Sequence, residues 1–333
     1  MKIFITGIAG FLGSHLADKF IKEGHQVVGC DSLIGGYKDN VSKNSEFYKL
    51  DCSNYSDLKK IMNGSEIVYH CAATAYEGLS SFSPNFITQN IVQNSISVFT
   101  AAISTGVNKI IYCSSMARYG NIKPPFKETD VPLPEDVYGI GKLAAEKMLI
   151  NLCETHGLDY TIAVPHNIYG PRQKYDDPYR NVVSIMINLM LQKRQPIIYG
   201  DGNQKRCFSY INDCIESLYK MSFLKKTNGE IYNIGPDENF ITINELSEKI
   251  ANKLAFNINP QYFKDRPREV KNAYCSSKKI KSELDYKTNV FLDEGLDEII
   301  SYIKKRGPKK FDYKIDLEIK SDITPKTWLK KIF

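Results

Sequence analysis

Residues 2–24 read KIFITGIAGFLGSHLADKFIKEG, in which an apolar run meets glycines at positions 7, 10 and 13 and then a helical pattern. The run Lys2–Thr6 predicts a buried strand, and Phe11–Gly24 predicts a helix with apolar residues on one side. The glycines between them permit a tight turn and the close approach of backbone to a pyrophosphate, which then lies at the helix N-terminus. The spacing differs from Gly-x-Gly-x-x-Gly, so the position at the first strand–helix junction supports the prediction of a dinucleotide site.

Strand and helix patterns alternate through the first half of the chain. Strands are expected at Val27–Cys30, Ile67–Tyr69, Ile110–Tyr112 and Thr161–Val164, with helices at Ser56–Met62, Asn90–Ser104 and Tyr138–Thr155. Alternation of this kind places parallel strands between two layers of helices. We therefore predict an α/β fold with a Rossmann-like, doubly wound parallel sheet over residues 1–166, completed by return segments at about 207–234.

The second half predicts a smaller, mixed α/β substrate lobe over residues 167–305. Its helices are expected at Val182–Gln192, Ile211–Phe223, Ile243–Leu254 and Leu292–Lys304, with a strand at Pro196–Tyr199. A C-terminal tail, residues 306–333, has no clear period and carries eight Lys/Arg against four Asp/Glu. Two interpretations of this tail stay open, a docking segment and a solvated basic extension.

Composition narrows the class of protein. The 333 residues are 42% hydrophobic and 25% charged, which is ordinary for a globular protein, and no apolar run approaches a membrane span. We expect a cytoplasmic protein without a signal peptide or membrane segment. The formal charge of +6 includes +4 in the tail, so the nearly neutral body argues against nucleic acid. None of the eight cysteines forms a Cys-x-x-Cys pair, which argues against both a zinc site and a disulfide framework.

Two carboxylates follow strands in the first half. Asp31 ends the second predicted strand, where it can accept hydrogen bonds from ribose hydroxyls and would repel a 2′-phosphate, so it favours NAD over NADP. Asp51 follows the apparent third strand, with Cys52 beside it, and is a candidate adenine contact.

Tyr138 and Lys142 are four residues apart and therefore share one face of a helix. A nearby ammonium favours the phenolate, lowering the tyrosine pKa from about 10. Such a tyrosine can exchange a proton with an alcohol while hydride moves to nicotinamide. Ser115, at the end of an apolar strand, can hydrogen-bond the same reacting oxygen.

Together these segments resemble the extended short-chain dehydrogenase/reductase family, and within it the UDP-glucose 4-epimerase subgroup. The matching segments are Thr6–Gly13, His70–Ala73, Ser114–Gly120, Tyr138-x-x-x-Lys142, His166–Arg172 and Gly200–Arg206. The resemblance covers roughly residues 1–305.

The resemblance implies a role for each matching position. Ser115, Tyr138 and Lys142 would be the catalytic trio. The NAD site would comprise Gly7, Gly10, Phe11, Leu12, Gly13, Asp31, Asp51, Cys52, Ala72, Ala73, Asn90, Tyr138, Lys142 and His166. Substrate contacts would comprise Ser115, Asn167, Asn181, Val182, Tyr199 and the diphosphate-binding arginines Arg206 and Arg266.

Two departures from the family pattern are visible. Residues 266–270 read RPREV where many relatives have Arg-x-Gly-Asp, so Arg268 rivals Arg266 as the second diphosphate contact, and the register of 266–274 stays open. A lysine that the family often places shortly after residues 70–73 is absent, since residues 74–77 read TAYE.

The residues after Ser115 discriminate between the reactions of the family. Dehydratases carry Asp-Glu there and sugar-acid decarboxylases commonly a glutamate, whereas this chain has Met116 and Ala117, which cannot transfer protons. The resemblance therefore implies NAD-dependent C4 epimerisation of a nucleotide-diphosphate hexose of the UDP-glucose/UDP-galactose type. The resemblance also implies a homodimer. The alternatives are a 4-dehydrogenase or 4-ketoreductase that releases its cofactor, an epimerase of GDP- or dTDP-sugars, and a non-catalytic NAD(H) sensor.

Overall fold

The computed structural model describes residues 1–238 and 240–333. Its strands are β1 (Lys2–Thr6), β2 (Gln26–Asp31), β3 (Glu46–Lys49), β4 (Ile67–His70), β5 (Lys109–Cys113), β6 (Asp159–Pro165), β7 (Ile168–Tyr169), β8 (Ile197–Tyr199), β9 (Lys205–Arg206), β10 (Ser209–Tyr210), β11 (Glu230–Ile234), β12 (Ile241–Thr242), β13 (Gln261–Phe263) and β14 (Asn272–Ala273). Its α-helices are α1 (Phe11–Lys22), α2 (Tyr55–Met62), α3 (Glu77–Ser80), α4 (Pro84–Thr88), α5 (Asn94–Ser104), α6 (Val137–His156), α7 (Val182–Leu191), α8 (Ile211–Met221), α9 (Ile243–Leu254), α10 (Lys278–Leu284), α11 (Leu292–Arg306) and α12 (Lys326–Leu329).

Seven parallel strands form the central sheet in the order β11-β6-β5-β4-β1-β2-β3. The apolar run of β1 is explained by burial on both faces, since Ile3, Phe4 and Ile5 are fully buried between two hydrophobic clusters. The predicted doubly wound α/β fold is confirmed. Strand order reverses beside β1, and in open α/β sheets such a switch point leaves a crevice at the carboxyl ends of the strands.

The return segment joins the first half. Helix α8 packs on α1, and β11 pairs with β6 at the edge of the sheet. The remaining strands of the second half form small sheets, β10-β7, β13-β8 and β12-β9-β14, packed with α7, α9 and α11. No helix in the described chain combines the length and apolarity needed to cross a membrane.

The observed helix bounds differ slightly from the predicted ones, and one predicted helix contains a π-helical turn. The first helix ends at Lys22, because Gly24 adopts a left-handed φ of 82°. The helix expected over 90–104 begins earlier, with α4, and passes through a π-helical turn at Gln89–Gln93 before α5. Turns of this kind often lie at functional sites, and this one carries the candidate cofactor residue Asn90.

The basic tail is not a solvated extension. Although its lysines are mostly exposed, it packs on the body through an apolar set that comprises Phe311, Tyr313, Ile315, Leu317, Trp328, Ile332 and Phe333. Periodicity could not reveal this, because the tail is held by contacts with residues far away in sequence.

Candidate active site

A cleft opens at the carboxyl ends of β1, β2, β4 and β5. Its walls include the trio Ser115, Tyr138 and Lys142 and, of the predicted cofactor residues, Gly7, Gly10, Phe11, Leu12, Gly13, Asp31, Asp51, Cys52, Ala72, Ala73 and Asn90. Asn167 and Asn181 also line this cleft, so the structure brings together candidates that are up to 174 residues apart. No group of three His, Cys, Asp or Glu side chains among residues 1–238 and 240–333 is placed to hold a metal ion.

The glycine turn fits a dinucleotide because a side chain at Gly7 or Gly13 would collide with neighbouring backbone. Gly7 has a φ of 72°, and a Cβ there would lie 2.9 Å from the backbone of Ala72. A Cβ on Gly13 would lie 2.2 Å from the carbonyl oxygen of Gly7. Only glycine lets these backbones approach, so the turn stays open for a pyrophosphate at the N-terminus of α1.

Asp31 is held beside this turn. Its carboxylate accepts hydrogen bonds from the backbone N–H groups of Ala9, at 3.0 Å, and Leu33, at 2.7 Å. Burial raises the pKa of Asp31, and these two amides oppose the rise. The two bonds orient the carboxylate at the edge of the cleft, where the ribose of NAD is expected.

His166 does not line the cleft, where the sequence analysis placed it. The sequence predicted that it lines NAD, but its side chain is fully buried away from the cleft, against the backbone of Gly235. Its neighbours Pro165 and Asn167 line the cleft instead. Burial lowers the pKa of His166 to about 4, so it is a neutral packing residue.

Helix α6 positions the tyrosine and the lysine. Asp136 caps the helix by accepting a hydrogen bond from Gly139 N at 2.7 Å, which fixes the first turn where Tyr138 lies. One turn later, Lys142 Nζ donates a hydrogen bond to the carbonyl oxygen of Cys113 at 2.8 Å, and it lies 5.9 Å from the centre of the Tyr138 ring.

The pKa of Tyr138 is raised in this structure, whereas the nearby ammonium led us to expect a lowered one. Burial raises this pKa, the Glu77 carboxylate raises it further, and Ser115 and Arg180 oppose the rise. Burial also lowers the pKa of Lys142 to about 8. The spacing of Tyr138 and Lys142 could show their shared face but not the desolvation of both groups.

The predicted substrate residues line a second cavity that adjoins the cleft. They are Asn167, Asn181, Val182, Tyr199, Arg206 and Arg266. Asn181 caps α7 by accepting a hydrogen bond from Val183 N at 3.1 Å. The Arg266 guanidinium lies over the ring of Tyr199, 5.0 Å from its centre.

Arg266 and Arg268 differ in their surroundings, and Glu269 is the partner of Arg266. It takes a bidentate pair of hydrogen bonds from Arg266, at 3.0 and 3.1 Å, and lies 3.6 Å from Arg206. Both arginines line the second cavity, although the Arg206 guanidinium donates its hydrogen bonds to backbone carbonyl oxygens at 2.8–2.9 Å. The Arg268 side chain, in contrast, is 68% exposed and pairs with Glu135. A guanidinium pair with fixed geometry suits a diphosphate.

Glu77 was not predicted as a site residue. It begins α3 and lines the cleft, the second cavity and a smaller cavity bordered by Met116 and Ala273. Glu77 is exposed at the cleft, yet the walls around its carboxylate raise its pKa to about 7. Asp136 adds to the rise, and Arg206 and Arg266 oppose it. The sequence showed only that residues 74–77 lack the expected lysine.

Arg180 is a second residue that the sequence did not reveal. Its guanidinium donates to the carbonyl oxygens of Gly35, at 3.2 Å, and Ala73, at 3.5 Å, and lies over the ring of Tyr76. It therefore brings a positive charge into the cleft from α7's N-terminal loop, far in sequence from residues 70–77.

The glycine turn, the carboxylate at the end of β2 and the Tyr138–Lys142 pair thus lie around one cleft. The sequence model of the NAD dependent epimerase/dehydratase family matches residues 3–235, and the chain belongs to this family. Its relatives are NAD-dependent nucleotide-sugar epimerases and related enzymes.

Individual relatives are mixed in activity. The chain is 33% identical over 311 residues to a putative UDP-glucose 4-epimerase of Methanocaldococcus jannaschii, with 92% of this chain and 99% of that protein covered. It is 32% identical to a UDP-N-acetyl-alpha-D-glucosaminuronate decarboxylase of Bacillus cytotoxicus, with 91% and 98% covered. The crystal structure of UDP-glucose 4-epimerase with UDP-glucose from Thermotoga maritima superposes with a TM-score of 0.87 at 31% identity, with 92% and 99% covered.

Proposed function

We propose that this chain epimerises a UDP-hexose at C4. The observation that carries the proposal is the Ser115–Tyr138–Lys142 set in a cleft where Met116 and Ala117 follow the serine. Neither of those two side chains can transfer a proton, so the elimination and decarboxylation chemistry of related enzymes lacks its usual groups there.

Each member of the trio has a defined task. Tyr138 takes the proton of the sugar C4 hydroxyl and later returns one, while Ser115 hydrogen-bonds the same oxygen. Lys142, fixed by the carbonyl of Cys113, supplies the positive charge that favours the phenolate. NAD, when bound, supplies the acceptor and donor of hydride.

The two arginines provide the anchor. Arg266 would exchange its pair with Glu269 for the diphosphate, and Arg206, 3.6 Å from the same carboxylate, would hold the diphosphate with it. The 4-keto sugar can then rotate about its link to the fixed diphosphate and present its other face. Binding energy from the nucleotide, which is remote from the reacting carbon, holds both orientations in the same cleft.

Glu77 favours a second candidate function, epimerisation at a carbon next to C4. A 4-keto group acidifies the neighbouring C–H, and a carboxyl with a pKa of about 7 beside Tyr138 could remove that proton. The two functions differ in whether hydrogen from the solvent enters the sugar.

The experiment is incubation with UDP-, GDP- and dTDP-hexoses in D₂O, followed by NMR. The proposal expects inverted C4 in a UDP-hexose, no deuterium on carbon and no net NADH. Deuterium at C3 or C5 would support the second candidate. Stoichiometric NADH would indicate a dehydrogenase, and conversion of a GDP- or dTDP-sugar alone would overturn the assignment of the nucleotide.

A further inference from the structure

Residues 307–333, here called the tail segment, run back across the body of the protein. Asp312 N donates to the carbonyl oxygen of Asp176 at 2.8 Å, and Ile319 N donates to Phe82 O at 2.9 Å. The Glu318 carboxylate accepts hydrogen bonds from the first two amides of the helix that begins at α4, both at 2.8 Å. The segment is therefore attached along its length rather than at one point.

Its last part packs beside the second cavity. Trp328, on α12, is 3% exposed and meets Tyr179 and Phe82 edge-on, with ring centres 5.4 and 5.8 Å apart. The Thr327 hydroxyl hydrogen-bonds the hydroxyl of Tyr199, a residue that lines the cavity. The tail segment thus supports the aromatic wall from behind.

Phe333 reaches the cavity itself. It lines the wall with Ile197 and Tyr199, it is 8% exposed, and its N–H donates to the Tyr313 hydroxyl at 2.9 Å. The carbonyl oxygen of the preceding residue accepts a hydrogen bond from Arg194. The ring is therefore fixed in the wall of the second cavity, which Arg206 and Arg266 also line and Tyr138 does not.

The relatives described above match 91–92% of this chain over 98–99% of their own length. About 8% of this chain, roughly 27 residues, lies outside the match with the Methanocaldococcus jannaschii protein. The tail segment has the same length.

We propose that the tail segment forms part of the substrate site and that Phe333 contacts the nucleoside half of the sugar nucleotide. This inference rests on the proposed function. A diphosphate held by Arg206 and Arg266, with its sugar directed toward Tyr138, leaves the nucleoside on the opposite side of the arginines. The cavity there presents aromatic and aliphatic side chains, which suit the flat apolar faces of a base.

The test compares Phe333→Ala with Phe333→Leu and with Lys330→Ala, whose lysine is exposed on the same segment. Calorimetry with UDP gives the Kd without any need for turnover, and Trp328, the single tryptophan, reports whether the tail segment stays packed. We expect Phe333→Ala to raise the Kd for UDP and the KM by about tenfold while kcat stays within about twofold, because uniform binding is lost. Phe333→Leu should recover part of the loss, and Lys330→Ala should bind like the unmodified chain.

The outcomes separate the two proposals. If Phe333→Ala lowers only the melting temperature and leaves the Kd for UDP unchanged, the tail segment has a structural role and this inference is wrong. If UDP binds with the expected dependence on Phe333 but no hexose is epimerised, the inference stands and the proposed function is wrong. Failure of the unmodified chain to bind UDP, GDP or dTDP would overturn both.

Discussion

The Lys142 ammonium donates a 2.8 Å hydrogen bond to the carbonyl oxygen of Cys113, the last residue of β5. This bond ties the catalytic face of α6 to the strand that delivers Ser115 two residues later. It also holds the charge of Lys142 in a fully desolvated place, which lowers its pKa to about 8. The same bond therefore links the geometry of Ser115, Tyr138 and Lys142 to the pH dependence expected of the activity.

We therefore expect kcat/KM to fall as pH rises through about 8, because Lys142 then loses the charge that favours the Tyr138 phenolate. Lys142→Met should lower turnover and remove this alkaline decline, whereas Lys147→Met, at an exposed position of the same helix, should keep the profile of the unmodified chain. The measurement is the pH profile of kcat/KM. A profile that rises steadily to pH 10 would contradict the assigned role.

Tyr138→Phe should cut turnover by about 10²–10⁴-fold, the usual contribution of a positioned acid–base group. The content of bound NAD, released by denaturation and assayed, should stay near that of the unmodified chain, since only the phenolic oxygen is removed. Tyr160→Phe is the control, because Tyr160 lies near the start of β6, at the other end of the sheet from the cleft. Near-full activity of Tyr138→Phe would reject the mechanism.

Local patterns predicted the elements that position the site, and the contacts between them had to come from the structure. The glycine spacing of residues 7–13 and the four-residue step from Tyr138 to Lys142 depend only on neighbours in sequence, and both lie where they were expected. The role of Glu77 depends on Asp136, Arg206 and Arg266, which reach it from separate elements. The packing of the tail segment could not be predicted for the same reason, since Trp328 packs on residues about 150 to 250 positions earlier in the chain.

Glu77→Gln should stabilise the fold at alkaline pH. The folded-state pKa of Glu77, about 7, lies above its ordinary value, so between about 4.5 and 7 the unfolded chain is ionised while the folded chain is protonated. The free energy of unfolding therefore falls as pH rises through this window, and the glutamine variant escapes that loss. Its gain in melting temperature should be larger at pH 8 than at pH 5, whereas Glu154→Gln, at an exposed position, should show an equal effect at both.

The homodimer expected from the sequence stays a prediction, with α5 and α6 as its interface. Ile140 on α6 supports it, because this large aliphatic residue is 54% exposed and lies on the side of the helix away from Tyr138. Ile140→Asp should shift the mass measured by light scattering at micromolar concentration from dimer to monomer. Phe223→Asp, at another exposed apolar position, should stay dimeric. A monomeric unmodified chain would reject the prediction.

The last prediction concerns an N-acetyl group on the sugar. In the 4-epimerase subgroup that the sequence resembles, a side chain soon after the Arg-x-Gly-Asp region borders the C2 substituent. Alignment on Arg266 places Ala273 there and alignment on residues 277–278 places Asn272 there, with Tyr274 close by. Ala273 on β14 pairs with Arg206 and lines the small cavity that continues from the cleft past Met116. Tyr274, which would close this cavity after a slip of one residue, packs on Phe240 instead, with ring centres 4.4 Å apart.

The small side chain of Ala273 should therefore admit both plain and N-acetylated hexoses. Rates on UDP-galactose and UDP-N-acetylgalactosamine test this. A preference of about a thousandfold for the plain sugar, about 4 kcal/mol in transition-state binding, would show that the cavity does not admit the N-acetyl group. Ala273→Tyr should lose the N-acetylated substrate while keeping the plain one. Asn272→Tyr is the matched control, because Asn272 is exposed and its substitution should leave the preference unchanged. If Asn272→Tyr changed the preference and Ala273→Tyr did not, the sugar would border the other side of β14.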